Sequence, residues 1–137
     1  MIEYHADDFG ASAGAAVRII DCINRGKLNG ISLMPNAPGF SKCMEIFKAE
    51  CKKKVRLSVH LNIMTERPLS DPGEIPDLPD DSGCFNVTYL KLIKASLIPS
   101  LGKRMREEIK TELKKQIQAC LPYIPKEKGL RLPAEKL

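Results

Sequence analysis

Residues 2–10 read IEYHADDFG, a short strand pattern over Ile2–His5 that runs directly into two aspartates. Ser12 is predicted to cap a helix that closes at Gly26. A strand followed at once by acidic residues and a helix is typical of an α/β sheet, in which strand ends present polar groups to a ligand. The opening of the chain therefore predicts both a fold class and a site.

Two more strand patterns follow at short intervals. Ile31–Met34 is the second, and a helix that Ser41 could cap connects it to the third, Val55–Leu61. A strand–helix–strand–helix–strand order with short connections predicts a parallel sheet with right-handed crossovers.

The rest of the chain does not continue this alternation of strands and helices. Residues 63–86 are rich in proline and lack periodicity, which predicts a long irregular loop of the kind that often lines a binding site. Helices are predicted over Thr88–Leu97, interrupted at Pro99, and over Lys103–Leu121, and Gly129–Leu132 resembles the start of a fourth strand. The apolar positions of the long helix are Met105, Ile109, Leu113, Ile117 and Cys120.

These patterns predict a single domain over residues 1–137. Residues 1–62 form its β-α-β-α-β unit with the site motifs, residues 63–86 its loop, and residues 87–132 its helices and the start of a fourth strand. A length of 137 residues is enough for one core but short for a closed β/α barrel.

Composition places the protein among ordinary globular chains, at 43% hydrophobic and 28% charged residues. No apolar run approaches the ~20 residues that span a bilayer, and no basic-then-apolar signal segment opens the chain. We therefore expect a cytoplasmic location and no membrane partner. The five cysteines are an odd number without a Cys-x-x-Cys pair, and with no secretion signal we expect them to be reduced thiols.

The net charge of +5 is distributed unevenly, with eleven bases against four acids between Lys91 and Arg131. Such a segment can contact nucleic acid, but it is more often a solvated helix face. Few aromatic residues are interleaved with these bases, so we expect no nucleic-acid partner.

Asp7 and Asp8 carry the most chemical information. Two adjacent carboxylates raise each other's pKa, and a bound divalent cation removes that cost. One aspartate could bind the metal while the other takes a proton from an activated water. The alternative is a simple turn in which Asp8 or Ser12 caps the next helix.

Further polar residues fall at or near the strand ends. His60 lies in an apolar strand and could complete a metal's coordination, although a lone strand histidine is more often a core or edge residue. Ser32, Asn36 and Asn62 could orient substrate or metal ligands, or occupy ordinary turn and edge positions. By strand alternation, His5 is expected to pack or pair beside the site.

Four ordered motifs resemble the YdjC-like carbohydrate deacetylases. They are ADDFG with a following serine at residues 6–12, SLMPN at residues 32–36, VHLN with ERPL at residues 59–69, and the Glu112-Leu113 and Gln116-Ile117 pairs. The resemblance implies an α/β fold, with parallel β/α units forming part of a distorted TIM-like barrel. It also implies a divalent metal, commonly magnesium or zinc, and hydrolysis of the N-acetyl group of an amino-sugar oligosaccharide.

The resemblance also assigns roles to individual residues. It implies that Asp7 is the general base and that Asp8 and His60 are metal ligands. We further predict that Asn36, Asn62 and Arg67 contact the substrate. A donor near the metal would help to stabilise the oxyanion formed when water attacks the acetamide.

The chain departs from the family pattern in two places. The family continues with an Asp-Ser-His-x-His strand that carries a further histidine ligand, whereas Gly129–Leu132 here leads into Pro133, and the only histidines are His5 and His60. The family also usually has asparagine where His5 stands. We therefore expect a truncated barrel that is inactive by itself.

Half a barrel would expose unpaired strand edges, so we expect homo-oligomers or poor solubility. The alternative to an enzyme is a non-catalytic fragment or binding module that acts through this open sheet edge. A basic nucleic-acid-binding module is a more distant alternative.

Overall fold

The computed structural model describes residues 2–124. Its elements, in order, are β1 (His5–Phe9), α1 (Ala13–Asn24), β2 (Gly30–Leu33), α2 (Phe40–Glu50), β3 (Arg56–Val59), α3 (Tyr89–Leu97) and α4 (Pro99–Cys120). The three strands form one parallel sheet in the order β1-β2-β3. The predicted parallel β-α-β-α-β unit is therefore confirmed.

One face of the sheet packs against α1 and α2. Alternation along the strands turns Ala6, Ile31, Leu33, Leu57 and Val59 toward these helices, where they join one apolar core. The buried helical members of this core are Ala16, Ile20, Ile23, Phe40, Cys43, Met44 and Cys120. The opposite face of the sheet carries the polar residues.

Several predicted boundaries differ from the observed ones. β1 begins at His5 rather than Ile2, because the Tyr4 N–H is taken by the Asn29 side chain and pairing with β2 starts one residue later. Gly39 rather than Ser41 is the N-cap of α2. The predicted break at Pro99 is confirmed, since α3 ends at Leu97, but α4 begins at Pro99 itself rather than at Lys103, because a proline at the first helical position loses no intrahelical hydrogen bond.

The inner face of α4 also differs from the prediction. Its fully buried positions include Glu108, Glu112 and Gln116, whereas Ile109 and Leu113 are only half-buried. The apolar spacing predicted the helix correctly but not which side faces inward, because the inner side binds loop backbone through hydrogen bonds.

The segment between β3 and α3, residues 60–88, is an ordered loop without regular elements except a single antiparallel bridge between Pro79 and Phe85. A second small core under this loop accounts for its order. That core contains Ile75, Leu78, Phe85, Val87, Ala95 and Met105.

No helix within residues 2–124 is both long and apolar enough to cross a membrane. The strand predicted at Gly129–Leu132 lies outside the described residues. The division of residues 1–137 into three parts stays a prediction.

Glu108 supplies a prediction about pH. Burial raises the pKa of its carboxyl, while a hydrogen bond from the Asp77 N–H at 2.9 Å acts in the opposite direction. Because the folded-state pKa lies above the usual 4.5, the unfolding free energy falls as pH rises from 4.5 through the raised value. Glu108→Gln should remove this decline and be more stabilising at neutral pH than at pH ~4.

Urea unfolding across this pH range measures the effect. Glu107→Gln is the matched control, because Glu107 is an exposed neighbour on the same helix. An identical pH dependence for the two variants would contradict the prediction.

Candidate active site

Asp7 and Asp8 occupy an irregularity in β1. Ala6 lies opposite Ile31 and Phe9 lies opposite Leu33, so three steps along β1 match two along β2. The backbone of Asp8 absorbs the extra residue with a φ of 58°, a conformation that aspartate adopts more readily than most residues. A bulge of this kind re-aims side chains next to functional sites.

The two carboxylates consequently reach one polar cluster instead of opposite faces of the sheet. Their side chains are 71% and 60% exposed, on the face away from α1 and α2. The Ser32 hydroxyl donates to Asp7 Oδ1 at 2.7 Å, and His60 Nε2 lies 3.2 Å from Asp8 Oδ1. The other His60 nitrogen, Nδ1, is 3.5 Å from Ser32 Oγ.

All three strands therefore contribute to the cluster formed by Asp7, Asp8, Ser32 and His60. Parallel strands bring their carboxyl ends to one edge, which explains why residues more than 50 positions apart meet there. The structure brings together Asp7, Asp8 and His60, and it adds Ser32 as the bridge between them. The roles of these residues stay predictions.

His5 lies beside this cluster. Its Nε2 is 3.7 Å from Asp7 Oδ1, and its Nδ1 is 2.9 Å from Glu3 Oε1. The hydrogen bond to His5, together with the charge of Arg56, holds the pKa of Glu3 below its usual value. The paired position of His5 agrees with the expectation from strand alternation.

Asn36 and Asn62 are both buried, and their amides bind the loop after β3. Asn62 Oδ1 accepts from the N–H groups of Met64 and Thr65, while its Nδ2 donates to the Thr65 carbonyl at 2.8 Å. Asn36 Nδ2 donates to the Thr65 and Arg67 carbonyls at 3.3 Å. Both asparagines therefore shape the loop beside the cluster.

The Arg67 side chain is exposed, and its backbone carbonyl accepts the hydrogen bond from Asn36. A Cβ added to Gly83 would lie 2.9 Å from its Nη1, which places the guanidinium against that turn. Within residues 2–124, its side chain does not contact Asp7, Asp8 or His60. Arg67 thus lies on the part of the loop whose backbone Asn36 holds.

The donor set of Asp8 and His60 fits a divalent cation. Tetrahedral zinc takes oxygen and nitrogen ligands at about 2.0–2.2 Å, so adjacent ligands lie about 3.3–3.6 Å apart. The separation of 3.2 Å between Asp8 Oδ1 and His60 Nε2 is close to this range. Within residues 2–124, no group of three histidine, cysteine, aspartate or glutamate side chains is arranged as a metal site.

Sequence reasoning gave no site role to Glu112 and Gln116. Both are fully buried, and Gln116 hydrogen-bonds the backbone of Asn62. The available signal was polar residues recurring every four positions along α4, at 108, 112 and 116. That signal was masked by the apolar residues on the adjacent side of the helix.

Fold and site together define an α/β protein with an acidic and histidine-containing cluster at the carboxyl ends of parallel strands. The sequence profile of the YdjC-like protein family matches residues 2–123. The chain therefore belongs to the YdjC-like family.

Named relatives agree with this assignment. The chain is 32% identical over 120 residues to carbohydrate deacetylase 1 of Listeria innocua, covering 88% of this chain and 45% of the relative. It is 26% identical over 114 residues to a carbohydrate deacetylase of Thermoanaerobacter pseudethanolicus, covering 83% of this chain and 42% of the relative. The chain thus spans about half the length of these curated relatives.

A solved structure supports the fold. The crystal structure of a proposed cellobiose-phosphate cleavage protein from Enterococcus faecalis V583 superposes with a TM-score of 0.68 at 23% identity. The match covers 86% of this chain and 42% of that protein. The expectation of an α/β fold built from parallel β/α units is confirmed.

Proposed function

We propose that the protein acts in metal-dependent hydrolysis of N-acetyl groups on amino-sugar oligosaccharides. The observation that carries the proposal is the meeting of Asp7, Asp8 and His60 at one edge of the sheet. The names of the curated relatives support deacetylation of a carbohydrate, and the N-acetylated amino-sugar oligosaccharide is the finer part of the proposal. This chain would contribute the general base and two metal ligands.

Asp8 and His60 would hold the cation. When bound, a divalent cation such as magnesium or zinc polarises a carbonyl and lowers the pKa of water. A hydrogen on the His60 Nδ1 atom would be donated to Ser32 Oγ, which leaves the Nε2 lone pair available to a cation that Asp8 Oδ1 would also bind. Ser32 would therefore help to select the ligand form of the imidazole.

Asp7 would accept the proton of the attacking water. Its Oδ1 is held by the Ser32 hydroxyl, and the remaining oxygen of this exposed carboxylate stays available to a water. A general base must lie within hydrogen-bond reach of the proton that it removes. The short Ser32 contact fixes the carboxylate for that task.

The loop after β3 would hold the sugar. Arg67 presents an exposed cation, and Asn36 and Asn62 position the backbone that carries it. In this proposal the asparagines act on substrate through that loop, because their buried amides bind its backbone. Arg67 would bind the hydroxyl groups of the oligosaccharide.

The experiment that tests the function measures acetate released from N-acetylglucosamine oligomers, with metal or with chelator. It uses the 137-residue chain alone and the chain mixed with the part of the Listeria innocua relative that the match does not cover. We call this mixture the complemented protein. Acetate release that requires metal supports the proposal.

We expect the chain alone to release acetate at or near background. Its two aspartates are largely exposed, and stabilising an oxyanion depends on an enclosed site that excludes water. Strong acetate release by the chain alone would contradict this expectation. Oligomer binding without acetate release by the complemented protein would instead favour a binding module.

Metal binding can be tested on the chain alone. Asp8→Asn and His60→Gln should each weaken zinc binding by about tenfold or more, because each removes one ligand. Asparagine tolerates the positive φ at position 8, so this substitution changes charge without adding backbone strain. Isothermal titration calorimetry measures the affinity.

Asp21→Asn is the control for charge, because Asp21 is an exposed residue on α1 that pairs with Arg25. Zinc affinity that is unchanged in both site variants would show that the metal binds elsewhere.

A further inference from the structure

The inner side of α4 carries a short ladder of hydrogen-bonding side chains. Glu112 and Gln116 lie one turn apart and have no exposed surface. Gln116 Nε2 donates to Glu112 Oε1 at 2.8 Å, which joins the two side chains. The rest of their hydrogen-bonding capacity is directed at the backbone of the loop between β3 and α3.

Gln116 pairs with the peptide groups of Asn62 in the manner of a neighbouring strand. Its Oε1 accepts from the Asn62 N–H at 2.9 Å, and its Nε2 donates to the Asn62 carbonyl at 2.6 Å. Glu112 binds the loop further on, where its two oxygens accept from the N–H groups of Leu69 and Ser70 at 3.0 and 2.8 Å. Every one of these bonds is to backbone.

These contacts fix the chain on both sides of the candidate site. The His60 N–H donates to the Leu33 carbonyl at 2.8 Å, the last bond between β3 and β2. Two residues later the backbone is held by Gln116, and seven residues after that by Glu112. His60 and Arg67 therefore lie on a segment whose backbone is held at positions 60, 62 and 69.

Packing alone does not account for this choice of side chains. Apolar residues at positions 112 and 116 could fill similar volume without the cost of burying a carboxylate and an amide. A buried polar pair is tolerated only when all its partners are in place, so it favours one loop arrangement over the alternatives. The ladder is suited to specifying geometry at the site.

We propose that Glu112 and Gln116 are positioning residues, which set the placement of His60 and of the loop that carries Arg67. The inference deepens the proposed function, since it rests on His60 acting in the site. It assigns to α4, which has no residue in the cluster, an influence on metal binding that acts through the backbone around His60.

Gln116→Met tests the proposal in the 137-residue chain, because methionine keeps the length and helix preference of glutamine and removes its hydrogen bonds. Gln118→Met is the matched control, an exposed glutamine on the same helix. NMR measures amide exchange and the imidazole resonances of His60 without metal, and calorimetry then measures zinc affinity.

We expect Gln116→Met to speed amide exchange at positions 62–67 by about tenfold or more and to shift the His60 resonances. Zinc affinity should fall about fivefold or more, while exchange in β2 and α1 stays unchanged. Gln118→Met should change none of these quantities. Unchanged loop exchange and unchanged His60 resonances in Gln116→Met would overturn the proposal.

Glu112→Gln keeps the test decisive if Gln116→Met does not fold. It retains one acceptor oxygen and replaces the other with a donor, so the exchange of Leu69 or Ser70 should accelerate. The His60 resonances should again shift, and no shift would overturn the proposal. If the unmodified chain binds no zinc, the metal in the proposed function fails, while the exchange and resonance measurements still decide the positioning role.

Discussion

Asp7→Asn should reduce acetate release by the complemented protein by about 10²–10⁴-fold, the usual contribution of a general base. Asparagine has nearly the same shape and can still accept the Ser32 hydrogen bond seen at 2.7 Å, so the fold and the position of the side chain should be preserved. It cannot accept a proton from water at neutral pH. The loss should therefore appear in kcat, with little change in KM.

Initial rates of acetate release at saturating oligomer measure this effect. Asp21→Asn removes the same charge from an exposed position on α1 and should retain full activity. Zinc affinity measured on both variants separates a lost base from a lost metal. If Asp7→Asn kept more than about a tenth of the activity, Asp7 would not be the base.

Gly10→Ala should lower the free energy of unfolding by about 2–4 kcal/mol. Gly10 has a φ of 133°, and an added Cβ would lie 2.8 Å from the Met34 carbonyl oxygen and 3.2 Å from the Phe40 ring. The β1–α1 connection approaches the β2–α2 connection so closely that only glycine fits. The substitution should separate the two connections that follow the site strands.

Gly14→Ala is the matched control in urea unfolding. Gly14 lies within α1, and nothing stands within 4 Å of its added Cβ, so alanine should raise stability by about 0.5–1 kcal/mol through helix propensity. The change in unfolding free energy should therefore have opposite signs for the same glycine-to-alanine substitution at positions 10 and 14. Equal unfolding midpoints for the two variants would contradict the close approach at Gly10.

Several features encoded over short distances were predicted correctly, although the predicted Ser41 cap was not. The Ser12 side chain accepts from the Ala15 N–H at 3.2 Å as an N-cap, and the helix predicted from Thr88 begins there with the same kind of cap. The parallel sheet followed from the order and short spacing of strands and helices. These are local signals, because a cap or an apolar period involves residues only a few positions apart.

The candidate site was predicted in part. Asp7, Asp8 and His60 were selected because polar residues at strand ends converge in parallel sheets, and the structure places them together. The bulge that makes this possible was not predicted, since the φ of 58° at Asp8 depends on its pairing with β2. Ser32 was considered only as one of several orienting residues.

The sequence by itself determined the parallel β-α-β-α-β order, the main helices and the motifs that assign the YdjC-like family. Tertiary structure alone decided the bulge at Asp8 and the inward side of α4, where Glu112 and Gln116 bind loop backbone. A local sequence pattern is enough to predict a contact when the two residues that make it are near in sequence. The polar residues that recur along α4 do not reveal which distant peptide groups they bind, because any residue type more than 40 positions away can supply such a backbone partner.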